Sequence, residues 1–308
     1  MPEIVVAIPT FRRPTSLARL LGALEKLQTD ARLLVVVADN DAEGRVGYDF
    51  CRSICARYRW PLDPIIAEER GIAQVRNVLV QRALSYPEAR FVAMLDDDEW
   101  PSPQWLDELL RVQAETGAEV VEGSVLFETS RAQGHWTSGF DGVRDMRRPT
   151  GATRMLEGAG NLLVARSCLE RLGAPWFDPA FALSGGEDRD FFERVKAAGG
   201  KFAWADEAVA HGLVPERRMS LEWVLRRAYG IGNTEMHIFL KHRPHALARL
   251  AECAKIASAL LLSPLLAIVL AAVPHRAADA LRRFFRNAGK LTALMGMRTN
   301  PYAVPHGD

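Results

Sequence analysis

Residues 4–8, 32–38 and 91–95 are three short apolar runs, and each stops abruptly: at Pro9-Thr10, at Asp39-Asn40-Asp41 and at Asp96-Asp97-Asp98. Runs of this length, rich in Val and Ile and bounded by turn residues, read as strands buried on both faces. Between them lie segments with helical spacing. In residues 15–27, Leu17, Leu20, Leu21 and Leu24 fall on one face, with Pro14 near the start. Residues 48–59, 72–85 and 103–116 also read as helices, and residues 62–67 as a further strand. This alternation predicts an α/β fold, a mostly parallel sheet with helices on both faces. In open α/β sheets ligands bind beyond the carboxyl ends of the strands. The three polar strand ends are therefore expected to line one crevice.

Past Glu119 the pattern loosens. Residues 120–128 and 160–165 read as strands, with a helix from Ser167, and the Gly- and Arg-rich stretch 129–155 reads as a loop. Ser184-Gly185-Gly186-Glu187-Asp188 precedes a helix over 189–198, and a short β-like segment, 201–204, has His211 downstream. The 308 residues suffice for one large domain plus an appendage, and a formal net charge of +1 sets up no overall field for nucleic acid. Four cysteines without a C-x-x-C pair fit a reducing compartment, and a start without a basic stretch implies no secretory signal.

The cluster Asp96, Asp97, Asp98 and Glu99 carries the clearest chemistry. Carboxylates crowded at a strand end repel one another, and burying them without a cation is costly. A hard divalent cation, Mg²⁺ or Mn²⁺, relieves this through oxygen ligands, one or two carboxylates plus substrate phosphates being the usual set. Asp96 and Asp98 are two residues apart and can face the same side of an extended segment. The alternative is a solvated acidic loop capping the next helix.

Taken in order, five elements resemble glycosyltransferase family 2. Val6-Ala7-Ile8-Pro9-Thr10-Phe11-Arg12-Arg13 resembles the family's opening strand and first nucleotide loop. Val36-Val37-Ala38-Asp39-Asn40 resembles the strand whose terminal Asp reads the base. Gly71-Ile72-Ala73-Gln74-Val75-Arg76-Asn77 resembles the "G-x-x-x-A-R-N" segment, with Val75 in the small-residue position. Leu95-Asp96-Asp97-Asp98 resembles the D-x-D element, and Gly186-Glu187-Asp188 the "E-D" that supplies the base. The match covers roughly residues 3–235. It implies a GT-A fold and an inverting transfer from a nucleotide-diphosphate sugar, a UDP-sugar above others. It also implies a catalytic domain over 1–237, with a nucleotide-binding half (1–118) and an acceptor-and-base half (119–237). Donor contacts are expected from Pro9, Thr10, Arg12, Asp39, Arg76, Asp96, Asp97 and Glu187, and metal ligands from Asp98, Asp96 and His211.

Each residue has its own physics and its own alternative. Asp39 can accept from a uracil-like N3–H, or it can close an ordinary strand-end turn. Arg76 can pair with phosphate, or hold Asp39 or Asp96, or sit on a helix surface. The resemblance implies Asp188 as the general base; its position at a helix N-terminus favours the ionised carboxylate and equally suits a helix cap, and Asp190 is the neighbouring rival. His211 as a further metal ligand competes with a structural role. Trp136, Phe140, Trp176 and Phe181 either stack on sugars or belong to the core.

Residues 238–308 read as a helical, membrane-associating appendage. Residues 256–273 carry no charge but contain Pro264, which is expected to kink a helix there. Basic residues flank this run: Lys241, Arg243, Arg249 and Lys255 before it, and Arg276, Arg282, Arg283, Arg286 and Lys290 after it. That pattern fits an interfacial helix at the cytoplasmic face; the alternative is a helix buried in a homo-oligomer interface or capping the catalytic domain. A lipid-linked or polysaccharide acceptor suits such an appendage. Two other functions use the same features: a nucleotidyltransferase of related fold, which attacks phosphorus, and a non-catalytic membrane scaffold.

Overall fold

The computed structural model describes residues 2–129, 145–242 and 244–301. Trp136 and Phe140 lie outside the described residues.

The first half is the parallel unit that the apolar runs predict. Strand β1 (Ile4–Thr10) pairs in parallel with β2 (Leu33–Asp39) on one side and with β4 (Phe91–Leu95) on the other, and β3 (Leu62–Ile66) pairs with β2. The intervening helices are α1 (Pro14–Leu24), α2 (Val46–Ile54) and α3 (Ile72–Leu84). Every residue of β1 and β2 is buried, because both faces of the sheet are covered. Alternation still governs which face each residue serves. Ile4, Val6 and Ile8 pack with Leu17, Leu20, Leu21 and Leu24 of α1, whereas Val5 and Ala7 pack with Val75 and Leu79 of α3. Leu20 is fully buried there; truncating a leucine so placed typically costs about 2–5 kcal/mol through lost transfer energy and a cavity.

The second half adds antiparallel pairings to this parallel unit, so the whole sheet is mixed. In order, β3-β2-β1-β4 is followed by β8 (Asn161–Ala165), β6 (Val120–Thr129), β9 (Phe202–Val214) and β5 (Glu99–Pro101), and β7 (Gly151–Thr153) pairs with β9. Pairings β4–β8, β6–β8, β5–β9 and β7–β9 are antiparallel, and among the described residues only β6–β9 is parallel in this half. Around them lie α4 (Trp105–Thr116), α5 (Arg166–Leu172) and α6 (Glu187–Ala197).

Three helices complete the chain: α7 (Leu221–Lys241), α8 (Ala246–Val269) and α9 (Pro274–Leu294). The division expected at 237/238 falls inside α7. Helices α7 and α9 touch backbone to backbone. A Cβ at Gly232 would lie 1.8 Å from the Arg286 carbonyl oxygen, and one at Gly289 would lie 2.0 Å from that of Tyr229, so only glycine fits either place. Pro264 lies inside α8 without ending it.

Candidate functional site

The polar strand ends do converge. Thr10 and Asp39 are register partners at the ends of β1 and β2, and Asp96 follows β4 on the other side of β1. What each side chain does there is set by its neighbours.

Asp39 is buried and its carboxylate is fully engaged by backbone: Oδ1 accepts from Asp41 N at 3.0 Å, and Oδ2 from Gly47 N at 2.8 Å and Tyr48 N at 3.0 Å. It thereby satisfies two of the orphan N–H groups at the start of α2. Asn40, which no sequence signal singles out beyond its place after Asp39, ties this strand end to the next loop. It donates to the carbonyls of Ala67 and Glu69 and accepts from Gly71 N at 2.8 Å. Pro9 is buried within β1. Arg12, at a positive φ of 55°, is half-exposed and forms a two-bond pair with Asp41 at 2.7 and 3.0 Å.

The acidic cluster is managed by arginines. Thr10 Oγ1 donates to Asp97 at 2.8 Å, and Arg13 Nη1 reaches Asp97 at 2.9 Å and Asp98 at 3.0 Å. Arg218 Nη2 approaches Asp98 at 3.9 Å. Arg76 donates to Asp96 at 2.7 Å and to the Ala159 carbonyl at 3.0 Å, and its Nε lies 3.4 Å from Glu187. These cations do not offset all the acid. Burial pushes the Asp97 carboxyl up to about 7, against the pull of Arg13. Burial, with Asp96 and Asp98 nearby, holds Glu99 well above the ordinary range. Glu99 Oε2 is buried without a hydrogen-bond partner.

His211 is not brought to these carboxylates. On β9 it faces Trp100 across the β5–β9 pair; the rings stack at 5.9 Å, and Nε2 lies 3.1 Å from Ser102 Oγ. Its neighbour Gly212 pairs with Glu99, and successive strand positions point to opposite faces. Among the described residues, no group of three or more His, Cys, Asp or Glu is placed to hold a metal ion.

Glu187 and Asp188 open helix α6 after Gly186, whose φ is +87°. A Cβ at Gly186 would come 2.3 Å from Thr234 of α7, so the left-handed turn and the packing both require glycine. Glu187 is 4% exposed and lies against Arg76; burial, then Asp188, push its carboxyl up to about 8 despite that guanidinium. Asp188 is half-buried. Its Oδ1 accepts from Arg189 N at 2.6 Å, while Oδ2 faces the space over Gly158, where a Cβ would lie 3.8 Å away. Burial raises its carboxyl too. The rival Asp190 is 0% exposed and held by Lys241 at 2.6 Å, His242 at 3.2 Å and Arg194 at 3.2 Å, which makes it a structural anchor of α6 on α7.

One segment joins Asp188 to the acidic cluster. Glu122, a buried carboxylate in β6, accepts from Glu157 N at 2.7 Å and Gly158 N at 3.0 Å. Asp96 N donates to the Gly160 carbonyl at 3.1 Å, and a Cβ on Gly160 would sit 3.0 Å from Glu99 and 3.1 Å from Asp96. Residues 157–160 thus run from Asp188 to Asp96. Trp176 and Phe181 are buried in the core, away from any exposed sugar-stacking role.

The chain as a whole has relatives among known proteins. The model of Glycosyl transferase family 2 matches residues 5–162. Succinoglycan biosynthesis protein ExoM of Rhizobium meliloti is 33% identical over 253 residues, covering 80% of this chain and 77% of the relative. Glycosyltransferase AglE of Haloferax volcanii is 24% identical over 249 residues, covering 79% and 76%. Among solved structures, S. aureus TarS 1-349 superimposes with a TM-score of 0.53 at 16% identity, covering 96% of this chain and 92% of that one. Its complex with UDP-GlcNAc gives a TM-score of 0.52 at 17% identity, with the same coverage. TarS shares the fold, and the sequence relatives share the family: this chain belongs to glycosyltransferase family 2 and is a glycosyltransferase.

Proposed function

We propose that this chain moves a sugar from a nucleotide-diphosphate donor, a UDP-sugar above others, to a glycan or lipid-linked acceptor with inversion at the anomeric carbon, and that Asp188 is the base. The observation that carries this reading is the placement of Asp188: half-buried, one oxygen tied to its own helix and the other directed over Gly158 toward the acidic cluster. Asp188 Oδ2 takes the acceptor hydroxyl proton as that oxygen bonds to the anomeric carbon. The bond from that carbon to the diphosphate breaks at the same time, and the nucleoside diphosphate leaves with the electron pair. A raised carboxyl pKa brings the base closer to working pH, where proton transfer is most effective. TarS was crystallised with UDP-GlcNAc, which supports a UDP-sugar in the same fold.

Asp98 and Asp96 offer carboxylate oxygens that, together with the donor's phosphates, would hold a hard divalent cation, Mg²⁺ or Mn²⁺, and the buried, unpartnered Glu99 Oε2 nearby marks acid that the arginines do not offset. When bound, such an ion stabilises the negative charge that develops on the leaving diphosphate. Arg13 and Arg76 hold these carboxylates in place, and Thr10 orients Asp97.

The C-terminal helices support attachment to the cytoplasmic face of a membrane. Helix α8 is long and apolar enough to cross a bilayer, and only 11% of its most apolar stretch is buried. The test is direct. Purified chain with UDP-sugars, a divalent cation and a glycan acceptor should yield a glycosidic product of inverted configuration by proton NMR, with nucleoside diphosphate released. Release of pyrophosphate instead would assign the chain to nucleotidyl transfer.

A further inference from the structure

Between α6 and the three C-terminal helices lies a groove of about 440 Å³, within the usual range of ligand pockets, about 300–1,000 Å³. It begins one residue beyond Asp188, with Arg189, and continues along α6 to Glu193. Its polar wall is made of matched pairs. Arg189 bonds Glu193 at 2.8 Å; Arg286 of α9 grips Glu235 of α7 through two bonds; Lys290 bonds Glu252 of α8 at 2.7 Å. Three cations therefore face three carboxylates. A phosphate entering here would meet a carboxylate beside every cation, and a cationic ligand would meet the reverse. Neither sign of charge is favoured.

A neutral polyol is favoured. A carboxylate offers about four lone-pair sites and a guanidinium five N–H donors, so a pair that satisfies itself keeps capacity on its outer edge. Sugar hydroxyls both donate and accept, and so can bond both members of such a pair. Phe239, Met236 and Pro244 supply an apolar surface for the C–H faces of a ring. We propose that this groove binds a neutral stretch of the acceptor oligosaccharide. The proposal rests on the reading of Asp188 as base and of a glycan as acceptor.

The test is saturation-transfer NMR on the full chain, with cellotetraose and maltotetraose as probes and inorganic pyrophosphate as competitor. Wild-type protein should give saccharide signals that pyrophosphate does not displace. Glu193→Trp, which fills the groove from the half-buried face of α6, should weaken binding at least about tenfold. Arg189→Gln, at a half-exposed site that folding does not depend on, should weaken it in the same direction and so guards against a misfolded Trp variant. Equal binding in wild type and both variants, displacement by pyrophosphate, or no saccharide signal in wild type would each overturn the proposal. The underlying reading fails differently. If no nucleoside diphosphate is released with any donor, the transferase chemistry assigned to Asp188 falls, while the binding result still stands or falls on its own.

Discussion

The Arg76 guanidinium lies 2.7 Å from Asp96 and 3.4 Å from Glu187, linking the end of β4 to the start of α6 across the base of the crevice. At 4% exposure this arginine belongs to the interior. Burial works against its charge, but Asp96 and Glu187 outweigh it and keep the guanidinium ionised. Removing one partner of a buried ion pair leaves the others uncompensated. Arg76→Ala is expected to destabilise the fold by about 3–5 kcal/mol. Arg76→Lys keeps the charge but not the forked contact, and should cost less. Denaturant titration of the two variants measures this; an Ala variant as stable as wild type would show that Arg76 carries no such link.

Asp188→Asn keeps the shape and cannot take a proton. Its kcat should fall roughly 10²–10⁴-fold, with donor affinity near normal. The pH profile adds a sign. The base works when ionised, and burial raises its carboxyl above the ordinary aspartate value. Activity should therefore fall as pH drops through that raised value, at a higher pH than an exposed aspartate would give. The Asn variant should lack this acid limb. A variant that binds donor poorly but keeps kcat would move Asp188 into donor binding.

Asp98→Ala removes a proposed metal ligand and a partner of Arg13. Turnover should be abolished, and Mg²⁺ or Mn²⁺ should no longer raise the melting temperature in the presence of UDP. A bound ligand at about 100 times its Kd adds roughly 2.7 kcal/mol to the wild type, so the lost shift is measurable. Metal-dependent turnover near the wild-type rate would remove Asp98 from the site.

What the sequence makes legible depends on range. Residues 4–8, 33–38 and 92–95 are buried on both faces, so their apolar character is local and marks β1, β2 and β4 directly. Glu99–Pro101 forms a strand only because β9 lies beside it, and nothing local announces that. His211 is the same lesson for a side chain: its place opposite Trp100 is set by the β5–β9 register, which nothing local announces. Asp190 and Asp188 are two residues apart with similar local surroundings. What ties Asp190 down are chiefly Lys241 and His242, about fifty residues on.

In the C-terminal appendage, the charges that flank the apolar run in sequence are not all presented to solvent in the fold. Several of the basic residues around 256–273 are turned inward: Arg286 to Glu235, Lys290 to Glu252, Lys241 to Asp178 and Asp190. The proposed membrane attachment would then depend more on apolar area than on charge. Helix α8 supplies that area, with Leu261 at 71%, Leu265 at 60%, Ile268 at 72% and Val269 at 77% exposure. A simple span would place α9 across the membrane from α7, yet the two touch backbone to backbone at Gly232 and Gly289. The same packing suits a helix lying in one interface, with α7 and α9 on the protein side. Leu261→Glu together with Leu265→Glu should release the chain from vesicles in a flotation assay, whereas raising salt should weaken binding only modestly. Labelling of cysteines placed at positions 248 and 295 in intact cells should come from the cytoplasmic side alone. Labelling of either from outside would mean that α8 crosses the bilayer, and release by salt alone would return the weight of attachment to the basic residues.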